Sequence, residues 1–212
     1  AYRKYFGLAD TNLVKPGQNL AFSIDVHLPD DILKLVSPDF ESLKISKMEG
    51  RYESDNNELS AELKMPFARF SGLRLDSLNL SVNGKDESLT MVMNLDMLSY
   101  DTLKIENFRI KEQVEKGIIY SHISTLDSAG RENYLFANQI ETADDFFSIR
   151  FLPQGLVLDG SPWNVEAGNL LEMRKGKLSA EQFVFSKDKQ SAGFITGSEN
   201  QKLVFENFAL QN

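Results

Sequence analysis

The sequence predicts an all-β chain, a mainly antiparallel sheet of long strands interrupted by one short helix near residues 30–36. Three observations carry this. Apolar and polar residues alternate with a period of two over long stretches, the pattern of a half-buried strand. Polar turn sequences separate those stretches at intervals of about 8–12 residues, as between antiparallel neighbours. Finally, one octad keeps returning with different side chains in it: LVFENFAL at Leu203 to Leu210, LKIENFRI at Leu103 to Ile110, LRLDSLNL at Leu73 to Leu80, LSAEQFVF at Leu178 to Phe185, and a degraded PDFESLKI at Pro38 to Ile45.

The octad has apolar residues at its first, third, sixth and eighth positions, an acid at the fourth and a small polar residue or amide at the fifth. Its two apolar pairs are out of step by one residue. An unbroken strand would therefore send Phe208 to the face opposite Phe205. The expected remedy is one extra residue at the acid and amide pair, a β-bulge or corner that returns the second half of the strand to the same buried face.

Taken in order, AYRKYFGLADTNLVKPGQ reads as an entry strand and a turn at Pro16-Gly17. Leu20, Phe22, Ile24, Val26 and Leu28 then alternate with Ala21, Ser23, Asp25 and His27, the clearest strand in the chain. Asp30 is placed to cap the short helix, and Ser37-Pro38 must end it. FESLKISKMEGRYES and ELSAELKM form a hairpin around SDNNE, with Pro66 expected to break the second strand. After a turn at Asn83 to Glu87, Leu89, Met91, Met93, Leu95 and Met97 are expected to share one face. The rhythm continues through the octad at Leu103, GIIYSHISTLD, a turn at Ser128 to Glu132, and NYLFANQ. Glu141 to Phe147 reads either as a helical turn or as a loop before FSIRFL. QGLVLDGSPWNV, with the single tryptophan Trp163, then NLLEMRKG, KLSAEQFVFS, SAGFITG and KLVFENFAL complete the strands. No linker, charge block or low-complexity tract divides residues 1–212, so a single elongated unit is expected.

Composition narrows the function classes. In 212 residues, 42 % are hydrophobic, as in ordinary folded proteins, and there is no cysteine for a disulfide framework or a thiolate zinc site. With 31 acidic against 23 basic residues the net charge is −8, which disfavours nonspecific attraction to nucleic acid or anionic head groups but not to an apolar ligand. No run approaches about 18 apolar residues, so these residues hold neither a membrane span nor a secretory signal, and the opening at Ala1 leaves room for either before it.

Enzymatic signals are poor, and no enzyme activity, metal or cofactor is expected. Asp25 and His27 would face the same side of a strand, the minimum for an orienting pair in general base catalysis, but on a polar face a solvated pair is the plainer reading. Asp30-Asp31 and Asp144-Asp145 read as helix caps. Gly-x-Ser-x-Gly, phosphate-loop and HExxH patterns are absent. The informative feature is apolar. Fifteen phenylalanines, among them Phe183, Phe185, Phe194, Phe205 and Phe208, serve either as core packing or as the lining of a sheet that stays open, curls, and offers a trough to acyl chains.

The run GLVLDGSPWNVEAGNLLEMRKGKLSAEQFVFSKDKQSAGFITGSENQKLVFENFAL resembles the Trp-containing block of the TamB and AsmA-like envelope proteins, especially their Bacteroidetes members. There a tryptophan strand is followed by a basic and glycine turn, an apolar strand, a strand ending in glycine, and a closing strand of the Leu-x-Phe-Glu-Asn-Phe kind. The stretch from Leu28 to Met97, with SPDFESLKI, EGRYES and LRLDSLNLSVNG, is similar in style. These motifs are degenerate strand patterns rather than catalytic signatures.

The resemblance implies a curved sheet forming an open groove or taco-like β-structure with an apolar interior, cut from a much longer periplasmic protein anchored in the inner membrane by its amino end. It implies movement of phospholipid to the outer membrane along the groove, or help in outer-membrane biogenesis with a barrel partner. No anchor helix occurs within these residues, so the anchor is expected outside the segment. The expected lining is Leu73, Leu75, Leu78, Leu80, Met91, Met93, Leu103, Ile105, Phe108, Ile110, Phe183, Phe185, Leu203, Phe205, Phe208 and Leu210. The rival expectation is a closed β-sandwich that binds a protein client by edge-strand addition.

Overall fold

The computed structural model describes residues 17–26, 32, 34–35, 37–143, 145–175, 177–196 and 203–204. Nine strands follow one another with short turns: β1 (Asn19–Val26), β2 (Phe40–Glu53), β3 (Glu58–Phe70), β4 (Leu73–Lys85), β5 (Ser88–Tyr100), β6 (Leu103–Glu115), β7 (Ile118–Leu126), β8 (Glu132–Ala143) and β9 (Phe146–Leu158). Shorter strands complete the chain: β10 (Ser161–Pro162), β11 (Asn164–Val165), β12 (Leu170–Arg174), β13 (Lys177–Glu181), β14 (Phe183–Lys187), β15 (Gln190–Thr196) and β16 (Leu203–Val204). Every pairing between them is antiparallel.

A 12-stranded sheet runs β1 through β9 in chain order, continues with β12 and β13, and carries β10 on β9. Its two end strands do not pair with each other, so the sheet does not close into a barrel. A 4-stranded sheet, β11-β14-β15-β16, adjoins it. Ile32, Lys34 and Leu35 have helical backbone; the other residues of the expected 30–36 helix lie outside the described ones.

The turns account for the long strands. Ser71-Gly72 and Lys116-Gly117 each connect two strands through two residues of positive φ, +47 and +79 degrees in the first and +50 and +82 in the second. Such primed turns match the right-handed twist of the strands they join, so pairing can begin at once on both sides.

The octad bends where its pattern requires. Ser77, Asn107 and Gln182, each the fifth residue of a copy, have φ of +57, +51 and +44 degrees. A left-handed residue leaves one position without a ladder partner, so Leu75 and Leu78 return to one face although their positions differ by three. In the degraded copy, the pairing of β2 with β3 slips by one residue between Phe40 and Ser42.

The bend is not confined to single strands. Met65 pairs with Leu78 and Phe67 with Asp76; on the next strands Leu78 pairs with Leu95 and Asp76 with Met97, and then Leu95 with Phe108 and Met97 with Glu106. Register is kept throughout, while Pro66, Ser77, Asp96 and Asn107 form an unbridged line across β3 to β6. Neighbouring strands make the same step together, and the result is a transverse crease in the sheet. Asn107 Nδ2 donates to the Leu126 carbonyl at 3.3 Å, carrying the line on to β7.

The crease corrects two readings of the sequence. Pro66 does not break its strand, because β3 runs through it at the one level where no backbone N–H is needed. Met97 does not share a face with Leu95: it lies in register with Asp76 and Glu106, and Leu98 takes the apolar place between Leu75 and Ile105. Three further segments differ from expectation. Glu141 to Ala143 end β8 and Phe146 and Phe147 begin β9, so strand replaces the helical turn or loop expected over Glu141 to Phe147, and Asp145 lies in the turn between two strands rather than at a helix cap. KLSAEQFVFS is two strands, since the bend at Gln182 moves the chain from β13 in the large sheet to β14 in the small one. FSIRFL and QGLVL are one strand, β9, with Leu152 to Gly155 bulged opposite Ala137. A Cβ on Gly155 would lie 2.4 Å from the Ala137 carbonyl oxygen, so only glycine fits there.

Candidate functional site

Cross-strand register sorts side chains into rows, and alternate rows share a face. One row reads Leu20, Tyr52, Leu59, Gly84, Leu89, Val114, Ile119, Ile140, Ile149, Leu171 and Ala180, crossing eleven strands without a charge. Four residues along the strands, Ile24, Met48, Leu63, Leu80, Met93, Ile110, Ile123, Phe136 and Leu156 do the same across nine. At the crease lie Met65, Leu78, Leu95, Phe108, Thr125 and Tyr134, and beyond it Leu43, Ala68, Leu75, Leu98 and Ile105. Last come Phe40, Phe70, Leu73, Tyr100 and Leu103, with the Phe40 and Phe70 rings edge to face at 4.9 Å.

Ten of the expected lining residues, Leu73, Leu75, Leu78, Leu80, Met91, Met93, Leu103, Ile105, Phe108 and Ile110, therefore come together on β4, β5 and β6 as one continuous apolar surface. The structure extends that surface to β1–β3 and β7–β8 through Phe22, Leu59, Leu63, Ile123 and others that the octads do not contain. Plain alternation within those strands is the signal that marks them. Phe22 lies across the sheet at Gly50, where a Cβ would come within 2.5 Å of the ring.

Most of this surface is only half-buried. Leu95 and Val114 are buried, but Leu20, Phe22, Ile24, Tyr100, Leu103 and Phe136 are exposed. The close backbone contacts of β1 to β8 run between lateral neighbours. At strand spacings of about 4.8 Å and rises of about 3.4 Å per residue, the apolar face from β2 to β8 measures about 30 by 20 Å.

The opposite face is polar over β1 to β6. Lys47 Nζ lies 2.6 Å from Glu62 Oε2 and 2.7 Å from Glu49, Lys64 lies 3.0 Å from Glu62, and Lys85 lies 2.7 Å from Glu58. Hydrogen bonds from Lys47 and Lys64 hold the Glu62 carboxyl below the usual range, and the bond from Lys85 does the same for Glu58. A shallow depression of about 550 Å³ is lined by Ser23, Glu49, Arg51, Ser60 and Ser81 of this polar side together with Phe22, Gly50 and Ala61 of the apolar rows.

The apolar face ends at a wall. Phe183 and Phe185, on β14, meet Phe151 of β9 with ring centroids 5.8 and 5.1 Å away and 5.0 Å between themselves, all edge to face. Phe183 is buried, so here the sequence-selected phenylalanines pack on one another. Asn169 secures the junction by accepting from Phe151 N–H at 2.7 Å and donating to the Phe151 and Glu166 carbonyls. Leu203 contributes described backbone in β16, and Phe205, Phe208 and Leu210 lie outside the described residues.

Between the two all-apolar rows runs one that is not. It reads Phe22, Gly50, Ala61, Val82, Met91, and then Glu112, Ser121, Asn138 before Phe151. Ser121 Oγ donates to Glu112 Oε1 at 2.8 Å. Burial pushes the Glu112 carboxyl above its ordinary range, with the Ser121 bond pulling the other way. These residues were not among the expected lining, although Ile110, Glu112 and Val114 share one parity and so mark a carboxylate on an apolar face.

Among the described residues, no cluster of His, Asp and Glu side chains could hold a metal ion, and His27 lies outside them. Comparison with protein-family models, with curated proteins and with solved structures gives no match to the chain.

Proposed function

We propose that this chain is the groove segment of an envelope-spanning protein of the TamB/AsmA-like kind, which shields phospholipid acyl chains in the periplasm on their way to the outer membrane or otherwise aids outer-membrane biogenesis. The inner-membrane anchor and any barrel partner belong to parts of the protein outside these residues. One observation carries the reading: the apolar face of β1 to β8 is continuous across eight strands and leaves Leu20, Phe22, Ile24, Tyr100, Leu103 and Phe136 exposed. At about 600 Å² such an apolar surface stands at the upper end of what a protein in water shows, the size at which patches are often functional. Half the hydrocarbon thickness of a bilayer is about 15 Å, so an extended acyl tail fits within the 20 Å depth of the face.

Photocrosslinking in cells tests this. A photoreactive residue at Met93, on the apolar face, should form adducts with phospholipid, while one at Asn94, on the opposite side, should not. Met93→Arg should remove the lipid, because an unpaired charge in an apolar trough is costly. Adducts at Met93 with protein alone would overturn the proposal. A second reading, strand addition by a protein client, draws on β1, which has no strand on its outer side among the described residues and leaves Leu20 61 % exposed. It predicts protein adducts at Ala21 and no lipid at Met93.

A further inference from the structure

Glu112, Ser121 and Asn138 interrupt an otherwise apolar face at the foot of the Phe151 wall. Polar groups placed there cost stability unless they are satisfied. Ser121 is only 3 % exposed and spends its hydroxyl proton on Glu112. Asn138 is 8 % exposed, and its side-chain oxygen is buried with no hydrogen-bond partner. Glu112 has a second carboxylate oxygen beyond the one that receives the Ser121 proton. The oxygens left over are acceptors, and they sit on β6 and β8 of one row with Ser121 of β7 between them, at about 5 Å per strand. The ligand chemistry complementary to them is hydrogen-bond donation.

We infer that Glu112, Ser121 and Asn138 form a head-group subsite in the trough, for an amphiphile whose polar end donates hydrogen bonds as an ammonium or a hydroxyl while its alkyl chain lies along the rows of Ile110 and Val114. This rests on the proposed acyl-chain trough and adds an end to it. The chain would be positioned at the wall of Phe151, Phe183 and Phe185 rather than sliding freely over the face. An anionic head is disfavoured, because it would meet Glu112 and an amide oxygen.

The test uses single-chain amphiphiles that differ only at the head: dodecylamine, dodecanol, and dodecyl methyl ether, which accepts but cannot donate. Each displaces diphenylhexatriene from the protein, and fluorescence reads the affinity. The amine, the alcohol or both should bind about tenfold more tightly than the ether, the worth of a buried hydrogen bond that would otherwise go unmade. A preference for the amine assigns the subsite to ammonium, and a preference for the alcohol assigns it to hydroxyl. In Asn138→Leu and, independently, in Glu112→Gln, the ratio of donor to ether affinity should fall towards one. Equal binding of all three ligands to the unaltered protein overturns the subsite and leaves the trough standing. Failure of diphenylhexatriene and all three ligands to bind removes the trough, and the subsite with it.

Discussion

Truncating Phe136 should cost less than truncating the smaller Leu95, and the reason is the open face. Leu95 is 3 % exposed at the crease, in register with Leu78 and Phe108. Replacing it with alanine removes buried methyl groups and leaves a void, a change worth about 2–5 kcal/mol. Phe136 lies in the interior strand β8, between Ile123 and Leu156, yet keeps 38 % of its surface in water. Full burial of such a side chain contributes about 1.5–3 kcal/mol, so the portion withdrawn from water contributes about 1–2 kcal/mol. Phe136→Ala opens no closed cavity, since its solvent side is already open, and nothing need be added to that figure. Urea unfolding of both variants, with equal slopes as the check on two-state behaviour, reads the difference directly. Phe136→Ala costing as much as Leu95→Ala would refute the open face and show that another layer covers it in solution.

Two further predictions concern single residues. At neutral pH Glu112→Gln should stabilise the protein in the absence of ligand. Burial raises the folded-state pKa of Glu112, so its contribution is most favourable below the unfolded value near 4.5 and is lost as pH rises through the folded value. The advantage of the variant should therefore be present at pH 7 and shrink on acidification through that window, as urea midpoints at pH 4 and pH 7 will show. Ser77→Val should destabilise by about 1–2 kcal/mol while Ser77→Gly should not, because a β-branched residue resists the left-handed conformation at φ +57 degrees and glycine does not. Thermal unfolding separates the two.

The all-β class was legible because alternation is a local property, and a strand with one wet face cannot hide it. The bend in the octads was legible for a related reason: two apolar pairs an odd number apart need a step between them, and Ser77, Asn107 and Gln182 supply it. Counting by twos fails where the step carries no such mark. In β5 the chain turns at Asp96 without an amide beside it, so Met97 continues the count on paper and leaves the face in space. Pro66 misled for the opposite reason. Its missing N–H signals a break, and only the neighbouring strands reveal that this level of the sheet asks for no hydrogen bond there.

The Glu112, Ser121 and Asn138 row was half visible. The parity of Glu112 with Ile110 and Val114 is in the sequence, but its meeting with Ser121 and Asn138 depends on register between strands. Phe183 shows the limit in another form: the same octad that bends a strand within the large sheet at Ser77 carries the chain into a second sheet at Gln182. Nothing local distinguishes the two, because what differs is the number of strands waiting on the far side of the bend.

The unbroken order of β1 to β9 has a consequence for how such a molecule could change in length. Each strand depends only on the two beside it, through turns that are mostly very short, so the cohesion of the sheet is a sum of nearest-neighbour terms, as in a stack of repeats. Assembly can zip from any hairpin outward with little loop to close. Removing or duplicating one hairpin, β4 with β5 for instance, would leave every remaining junction with a partner of the same polarity. Span is thereby uncoupled from topology, and a lineage could lengthen or shorten this sheet two strands at a time without redesigning what it keeps.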